Sequence, residues 1–198
     1  MTKPLKVFIA EDESMILFGF KSYLLNLGHE VIGEAYDGEM AVSMLETLEP
    51  DLLIMDVKMP RLDGIQALEK INHARKTILP CVFITAHSDD ALIRRAKDAG
   101  AFSYLIKPIT IENLKAAIEI AIHRYHDFLN VQSELDDLKE TLENRKTIER
   151  AKGYLMDNFN FKEQQAFEYM QKKSRETNKK LIVVAKSILK MDETLRNE

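Results

Sequence analysis

One cysteine stands among the 198 residues of the chain, Cys81, and it lies inside an apolar run. No disulfide framework can form within a single chain, which sets aside the small stapled secreted domains and fits a reducing cytoplasm. Long hydrophobic runs are also missing. Lys3 and Lys6 precede an apolar stretch, but Glu11, Asp12 and Glu13 break it at once, so neither a signal peptide nor a membrane span is expected. The five histidines are scattered, and no pair shows metal-ligand spacing. Glycine and proline then run out: all five prolines and six of the seven glycines stand before Ile109. Beyond that point only Gly153 interrupts a helical composition.

What is present supports a packed core, because 45% of the residues are apolar. The length suits one substantial core with an accessory region, or two small domains. The formal charge of −4 is unevenly spread: residues 1–144 carry a balance of −9, residues 145–190 one of +7, and the remaining tail −2. An acidic front and a basic back point to different partners.

The front is organised around Asp51, Leu52, Leu53, Ile54, Met55 and Asp56. Four consecutive apolar residues bounded by acids predict a short strand buried on both faces, as in a parallel sheet. Asp56 is thereby delivered to the strand's C-terminal end, the edge where open α/β sheets bind ligands. Pro60 and Asp63-Gly64 turn the chain away just beyond it. Leu5–Ala10 predicts a first strand, followed by a helix Met15–Leu27 with Ser14 as its cap and Gly28 as its stop. A second strand spans Glu30–Ala35, and Asp37 caps a helix Gly38–Leu48. After Asp63-Gly64 comes a helix from Ile65 to about Arg75. A fourth strand, Cys81–Ile84, precedes a helix Asp90–Ala99 capped by Asp89, and a fifth, Ser103–Ile106, precedes a helix capped by Thr110. Strict alternation predicts an α/β fold with a doubly wound five-stranded parallel sheet.

The strand ends gather a constellation. They finish in Glu11 and Asp12, in Asp56, in Thr85 and in Lys107. Carboxylates crowded into one cleft repel and call for a cation, and oxygen ligands of this kind suit Mg²⁺. A carboxylate beside a cation, a hydroxyl and an ammonium is equipped to attack a phosphoryl group. These residues and their spacing resemble the receiver domain of two-component response regulators. The resemblance implies that Asp56 is the phosphoacceptor, Thr85 the switch hydroxyl and Lys107 the phosphate-pairing lysine, with Tyr104 in the aromatic switch position. It implies Mg²⁺ held by Asp12, Asp56 and the backbone carbonyl of Lys58, with Glu11 acting through water. Such a domain catalyses only its own phosphoryl transfer and hydrolysis, and its phosphodonor is a sensor histidine kinase. Lys58 resembles the position that tunes phosphoryl lifetime. Cys81 reads as a small core residue, and His87 as a solvated loop residue that could border the site.

From Thr110 to about Asn158 the composition predicts one helix, on the order of 70 Å long at about 1.5 Å per residue. Ile118, Ala121, Tyr125, Phe128, Gln132, Leu135, Lys139 and Leu142 form an imperfect heptad seam, and Leu138 offers a competing phase. Two further helical pieces follow a turn at Asn158–Phe161: Lys162 to about Glu176, then Leu181–Leu189, with a turn at Asn178. Ala166, Phe167, Tyr169 and Met170, with the later apolar stripe, are read as core.

Seven excess positive charges over so short a segment match the electrostatic footprint of a phosphate-backbone ligand. Arg145, Ile148, Ala151-Lys152-Gly153, Leu155-Met156, Ala166-Phe167, Ser174, Asn178, Leu181 and Ala185 resemble the ANTAR domain, an RNA-binding module of transcription antiterminators. Ala151 and Gly153 are read as allowing close helix packing, while Arg145, Lys152, Arg175, Lys179, Lys180 and Lys186 face outward as candidates for RNA contact. Tyr154 reads as a core aromatic, with base stacking as the alternative.

The resulting expectation is a receiver domain at residues 1–123, a coiled-coil linker helix at 124–140, a three-helix ANTAR domain at 141–191 and a tail at 192–198. The resemblance implies a cytoplasmic, phosphorylation-controlled antiterminator that forms a homodimer on phosphorylation and grips RNA hairpins, with no membrane association. A DNA-binding response regulator and a protein-interaction adaptor are the competing readings. The tail offers no strand for a winged module, and its third helix is too apolar to lie wholly in a groove.

Overall fold

The computed structural model describes residues 3–75, 77–86 and 90–196. His87 and Asp89, read above as a site border and a cap, lie outside the described residues. The chain divides into two compact units, Met1–Leu129 and Asn130–Glu198.

In the first unit five strands alternate with helices: β1 Lys6–Ala10, α1 Ser14–Asn26, β2 Glu30–Ala35, α2 Gly38–Met44, β3 Leu52–Asp56, α3 Gly64–Arg75, β4 Cys81–Thr85, α4 Asp90–Asp98 and β5 Ser103–Ile106. Helix α5, Ile111–Phe159, follows. All four strand pairings are parallel, in the order β2-β1-β3-β4-β5. The apolar runs explain this arrangement, because β3 and β4 are buried over their whole length. Alternate residues serve opposite faces. Phe8, Leu53, Met55 and Phe83 pack with α2, α3 and α4. Val7, Ile9, Ile54 and Val82 pack with Leu17, Phe20 and Leu24 of α1 and with Leu114, Ile118 and Ala121 of α5. The strand order reverses between β1 and β3, which opens a crevice at their C-terminal ends.

Local chemistry moves several expected boundaries. Ser14 does not cap α1: Ile16 and Leu17 both donate to the Glu13 carbonyl, so the helix starts one residue earlier than expected and Glu13 is its cap, without a side-chain bond. Asp37 does cap α2, accepting from the Met40 amide at 2.8 Å. Helix α2 ends at Met44 instead of Leu48, where the Arg75 guanidinium takes the Leu45 and Leu48 carbonyls at 2.8 and 2.9 Å. The Thr110 hydroxyl caps α5, accepting from the Asn113 amide at 3.2 Å.

The residues of the expected heptad seam divide between two environments. Ile118 and Ala121 are buried in the first unit's core, and Tyr125 and Phe128 meet Phe102 edge to face at 5.5 and 6.0 Å. These residues are consumed by their own unit. Further along α5, Val131, Leu135, Leu138 and Leu142 are exposed, spaced four, three and four, which is the phase through Leu138.

The second unit combines the rest of α5 with α6, Glu163–Thr177, and α7, Leu181–Arg196. Helix α5 runs two residues into the expected turn, and Asn160 and Asn178 adopt left-handed φ of 54° and 51° at the two reversals. Ala151, Leu155, Ala166, Met170 and Ala185 form the buried core. The fully buried alanines allow the close helix approach expected at Ala151, but Gly153 takes no part: a Cβ there would meet nothing within 4 Å. Phe167 and Tyr169, expected in the core, are exposed. Among the described residues no helix is long and apolar enough to cross a membrane.

Candidate functional site

The crevice outside β1 and β3 is lined by the residues at the strand ends. Asp56 closes β3 and is buried. The loop after it is shaped tightly: Gly64 returns so close that a Cβ would stand 2.1 Å from the Asp56 carbonyl oxygen. That approach requires glycine. The Lys58 amide donates to Asp56 Oδ2 at 2.7 Å, while the Lys58 side chain is exposed. From the end of β5, Lys107 Nζ lies 3.0 Å from Asp56 Oδ1 and 2.9 Å from Glu11 Oε2, with Glu13 Oε1 at 3.8 Å. Glu11, at the end of β1, is fully buried, and its Oε1 also accepts from the Glu13 amide. Thr85 ends β4, also buried, with its carbonyl accepting from the Lys107 amide at 2.9 Å. Tyr104 sits on the edge strand β5, half exposed.

Charge in this crevice is out of balance. Burial raises the pKa of the Asp56 carboxyl, and the bonds and charge of Lys107 offset only part of that rise. Glu11 is raised for the same reason, with Lys107 again the partial counterweight and Asp56 adding to the rise. Burial opposes the Lys107 ammonium, but the bonds from Glu11 and Asp56 outweigh it and raise its pKa. One ammonium thus serves several acids. Oxygens of Glu11, Asp12 and Asp56 lie within 4.8 Å of one another, a donor set of hard carboxylates that fits a small divalent cation. A cation there would relieve the repulsion that Lys107 leaves uncompensated.

In the second unit Arg145, Arg175, Lys179, Lys180 and Lys186 are exposed as expected. Lys152 is not. Its side chain retains only 11% exposure, and Nζ is held 2.9 Å from both Glu149 of α5 and Glu163 of α6. The ammonium is spent joining two helices, which removes Lys152 from the outward-facing set. Sequence reasoning also missed a second role of Asp37. Its carboxylate pairs with Arg61 of the β3–α3 loop, a residue with a left-handed φ of 65°.

A five-stranded parallel sheet in this order, with an acidic pair, a buried aspartate, a hydroxyl and a lysine at its strand ends, is the arrangement of a signal receiver domain. The chain belongs to the response regulator receiver domain family, which matches residues 7–119, and an ANTAR domain matches residues 136–189. It is 44% identical over 186 residues to the transcriptional regulatory protein PdtaR of Mycobacterium tuberculosis, covering 94% of this chain and 90% of that one. Among solved structures it resembles the receiver domain of a modulated diguanylate cyclase from Desulfovibrio desulfuricans G20, with 32% identity and a TM-score of 0.56 over 62% of this chain and 96% of that one. The receiver domain of the putative response regulator NarL from Mycobacterium tuberculosis is similar at 26% identity and a TM-score of 0.55, over 61% of this chain and 98% of that one. The chain is therefore a response regulator whose receiver is followed by an ANTAR domain.

Proposed function

We propose that this response regulator is a phosphorylation-controlled transcription antiterminator that binds RNA hairpins. A sensor histidine kinase is the phosphodonor: an Asp56 carboxylate oxygen attacks phosphorus as the bond to the donor nitrogen breaks. Glu11, Asp12, Asp56 and the Lys58 carbonyl would hold Mg²⁺, which supplies charge neutralisation at the transferring phosphoryl group. Lys107 already stands on Asp56 and pairs with the incoming oxygens, while the Thr85 hydroxyl takes another and Tyr104 follows it. The new dianion competes with Glu11 for Lys107, so the pairing within the crevice is redistributed. That change favours a homodimer through Val131, Leu135, Leu138 and Leu142, which brings two basic units onto paired hairpins and keeps a terminator from forming.

The observation that carries this reading is the coexistence, in one chain, of the Lys107–Asp56 contact at 3.0 Å and an ANTAR domain with five exposed candidate cations. Hairpin binding is measured with and without a small phosphodonor for the wild type, for Asp56→Asn, and for a combined Arg175, Lys179 and Lys180 to alanine variant. The reading requires a donor-dependent gain in the wild type, no gain in Asp56→Asn, and weaker binding with a shallower salt dependence in the triple variant. Equal binding to hairpin RNA and duplex DNA at matched salt would contradict it.

A further inference from the structure

Arg61 stands in the β3–α3 loop in a backbone conformation that ordinary side chains avoid. Its φ is 65°, and the Leu62 amide donates to the Pro60 carbonyl at 2.7 Å, which closes a three-residue turn with Arg61 at its centre. A positive φ at the centre makes this the rare and strained form of such a turn. Glycine would enter it freely, whereas arginine enters it only where surrounding contacts offset the strain. One such contact is its partner. Asp37, just before α2, is fully buried; its Oδ1 accepts from the Met40 amide, and the Arg61 guanidinium pairs with Oδ2. Asp63, the acid on the same loop as Arg61, is held by the Gln66 amide at 2.7 Å and by Arg95 at 3.3 Å.

Strands β2 and β3 flank β1 in the sheet, so an ion pair between the segments that follow them bridges past the end of β1, where Glu11 and Asp12 stand. Each end of the bridge touches the acidic crevice through its own backbone. Two residues before Asp37, the Ala35 carbonyl accepts from the Glu11 amide at 3.0 Å. Three residues before Arg61, the Lys58 amide donates to Asp56 Oδ2 at 2.7 Å. The two segments also lie in close contact, since a Cβ on Gly38 would stand 2.3 Å from the Leu62 carbonyl oxygen. Buried Met59 and Leu62 seat the loop in the core, and the Val57 carbonyl accepts from the Gly64 amide at 2.9 Å across its base. Arg61 adds a sideways tie to the segment that holds the Glu11 backbone.

We infer that Arg61, held by Asp37, is a positioning residue for the divalent cation, fixing where the Lys58 backbone stands relative to Glu11 and Asp12. The inference rests on the cation site of the reading above, in which the Lys58 carbonyl is a ligand. A carboxylate ligand can turn about its own side-chain bonds to meet a cation, but a carbonyl moves only with its loop. Mg²⁺ demands near-octahedral geometry and short bonds, so a small shift of that loop is felt as lost affinity. Arg61 acts through the loop and not on the phosphoryl group. Its loss therefore changes how much Mg²⁺ the site needs, and leaves the transfer step to Asp56 and Lys107 once the site is full.

The test uses the full chain and Mg²⁺, read by the rise in melting temperature across a Mg²⁺ titration and by the rate of phosphoryl uptake from a small donor at each concentration. Arg61→Asn suits the left-handed turn and lacks the charge, while Asp37→Asn keeps an acceptor for the Met40 amide. Arg61→Asn is expected to raise the Mg²⁺ concentration for half-maximal effect about tenfold, as losing a residue that orients a metal ligand does, with the uptake rate at saturating Mg²⁺ within about twofold of wild type. Without Mg²⁺ this variant should melt lower, because it strands a buried carboxylate. The Arg61→Asn/Asp37→Asn double variant removes the stranded charge, so it should regain the melting temperature and keep the weak Mg²⁺ response. Recovery of both would show that Arg61 merely neutralises Asp37 and would overturn the inference, as would a wild-type Mg²⁺ response in Arg61→Asn. Wild-type protein that melts alike with and without Mg²⁺ would overturn it too. Wild-type protein that responds to Mg²⁺ but takes up no phosphoryl group would end the phosphorylation reading alone, with the role of Arg61 still decided by the Mg²⁺ titrations.

Discussion

Lys107 and Asp56 form an ion pair at 3.0 Å, reaching across the sheet from the end of β5 to the end of β3. Neither residue's own strand explains the contact. It arises because parallel strands deliver all their C-terminal ends to one edge, and it leaves one ammonium shared between Asp56 and the fully buried Glu11. Removing the ammonium strands two buried carboxylates and one prospective phosphoryl contact. Lys107→Ala is therefore expected to slow uptake of a phosphoryl group from a small donor by about a hundredfold, a magnitude typical of losing one preorganised donor to a developing charge. An unchanged rate would remove Lys107 from the transfer.

The same crowding sets a pH dependence. Asp56 and Glu11 hold their protons more tightly when folded than at their ordinary values of 3.8 and 4.5, chiefly through burial. A raised folded value means that the favourable contribution is complete below the ordinary value and is lost as pH rises through the raised one. Without divalent cation, Asp56→Asn should therefore be more stable than the wild type at neutral pH, and the gap should narrow toward pH 4. Added Mg²⁺ should raise the melting temperature of the wild type more than that of the variant. Melting curves across pH, with and without Mg²⁺, measure both.

Two glycines give opposite expectations. Gly64→Ala would drive a Cβ to 2.1 Å from the Asp56 carbonyl oxygen and displace the loop that shapes the crevice, so phosphoryl uptake and stability should both fall. Gly153→Ala places its methyl group in open space on a helix, and should stabilise the chain by about 0.5–1 kcal/mol. Denaturant unfolding of the two variants compares them directly. A destabilised Gly153→Ala would show that the space beside Gly153 is not open in the folded chain.

The seam makes a phase-specific prediction. Leu138→Lys lies in the exposed apolar stripe and should reduce the mass increase that follows phosphorylation, whereas Lys139→Glu lies outside it and should not. Mass measured in solution before and after a phosphodonor separates them. The reverse pattern would restore the phase that runs through Gln132 and Lys139.

The strand ends were legible in the sequence because each buried strand announces itself as an apolar run that stops at a polar residue. Asp56, Thr85 and Lys107 could thus be placed at one sheet edge without coordinates. The seam was less legible, since Tyr125 and Phe128 satisfy a heptad and a helix-on-sheet contact equally well, and only Phe102 decides between them. Charge counting found the basic tail but misplaced Lys152, because a tally of cations does not show that Glu149 and Glu163 converge on one of them. The early end of α2 depends on Arg75, about 30 residues downstream in the chain, and no local signal carries it. Phe159 and Phe161 looked like part of a turn, and their alignment with Tyr154 and Tyr169 appears only once α6 folds back.

The central claim is that a phosphoryl group on Asp56 controls the grip on RNA, and hairpin affinity measured before and after phosphorylation tests it most directly. The account predicts that wild-type protein with Mg²⁺ and a phosphodonor binds a target hairpin more tightly than without the donor, and that Asp56→Asn shows no such gain. Equal affinity in both states of the wild type, with phosphorylation of Asp56 verified by mass, would contradict it.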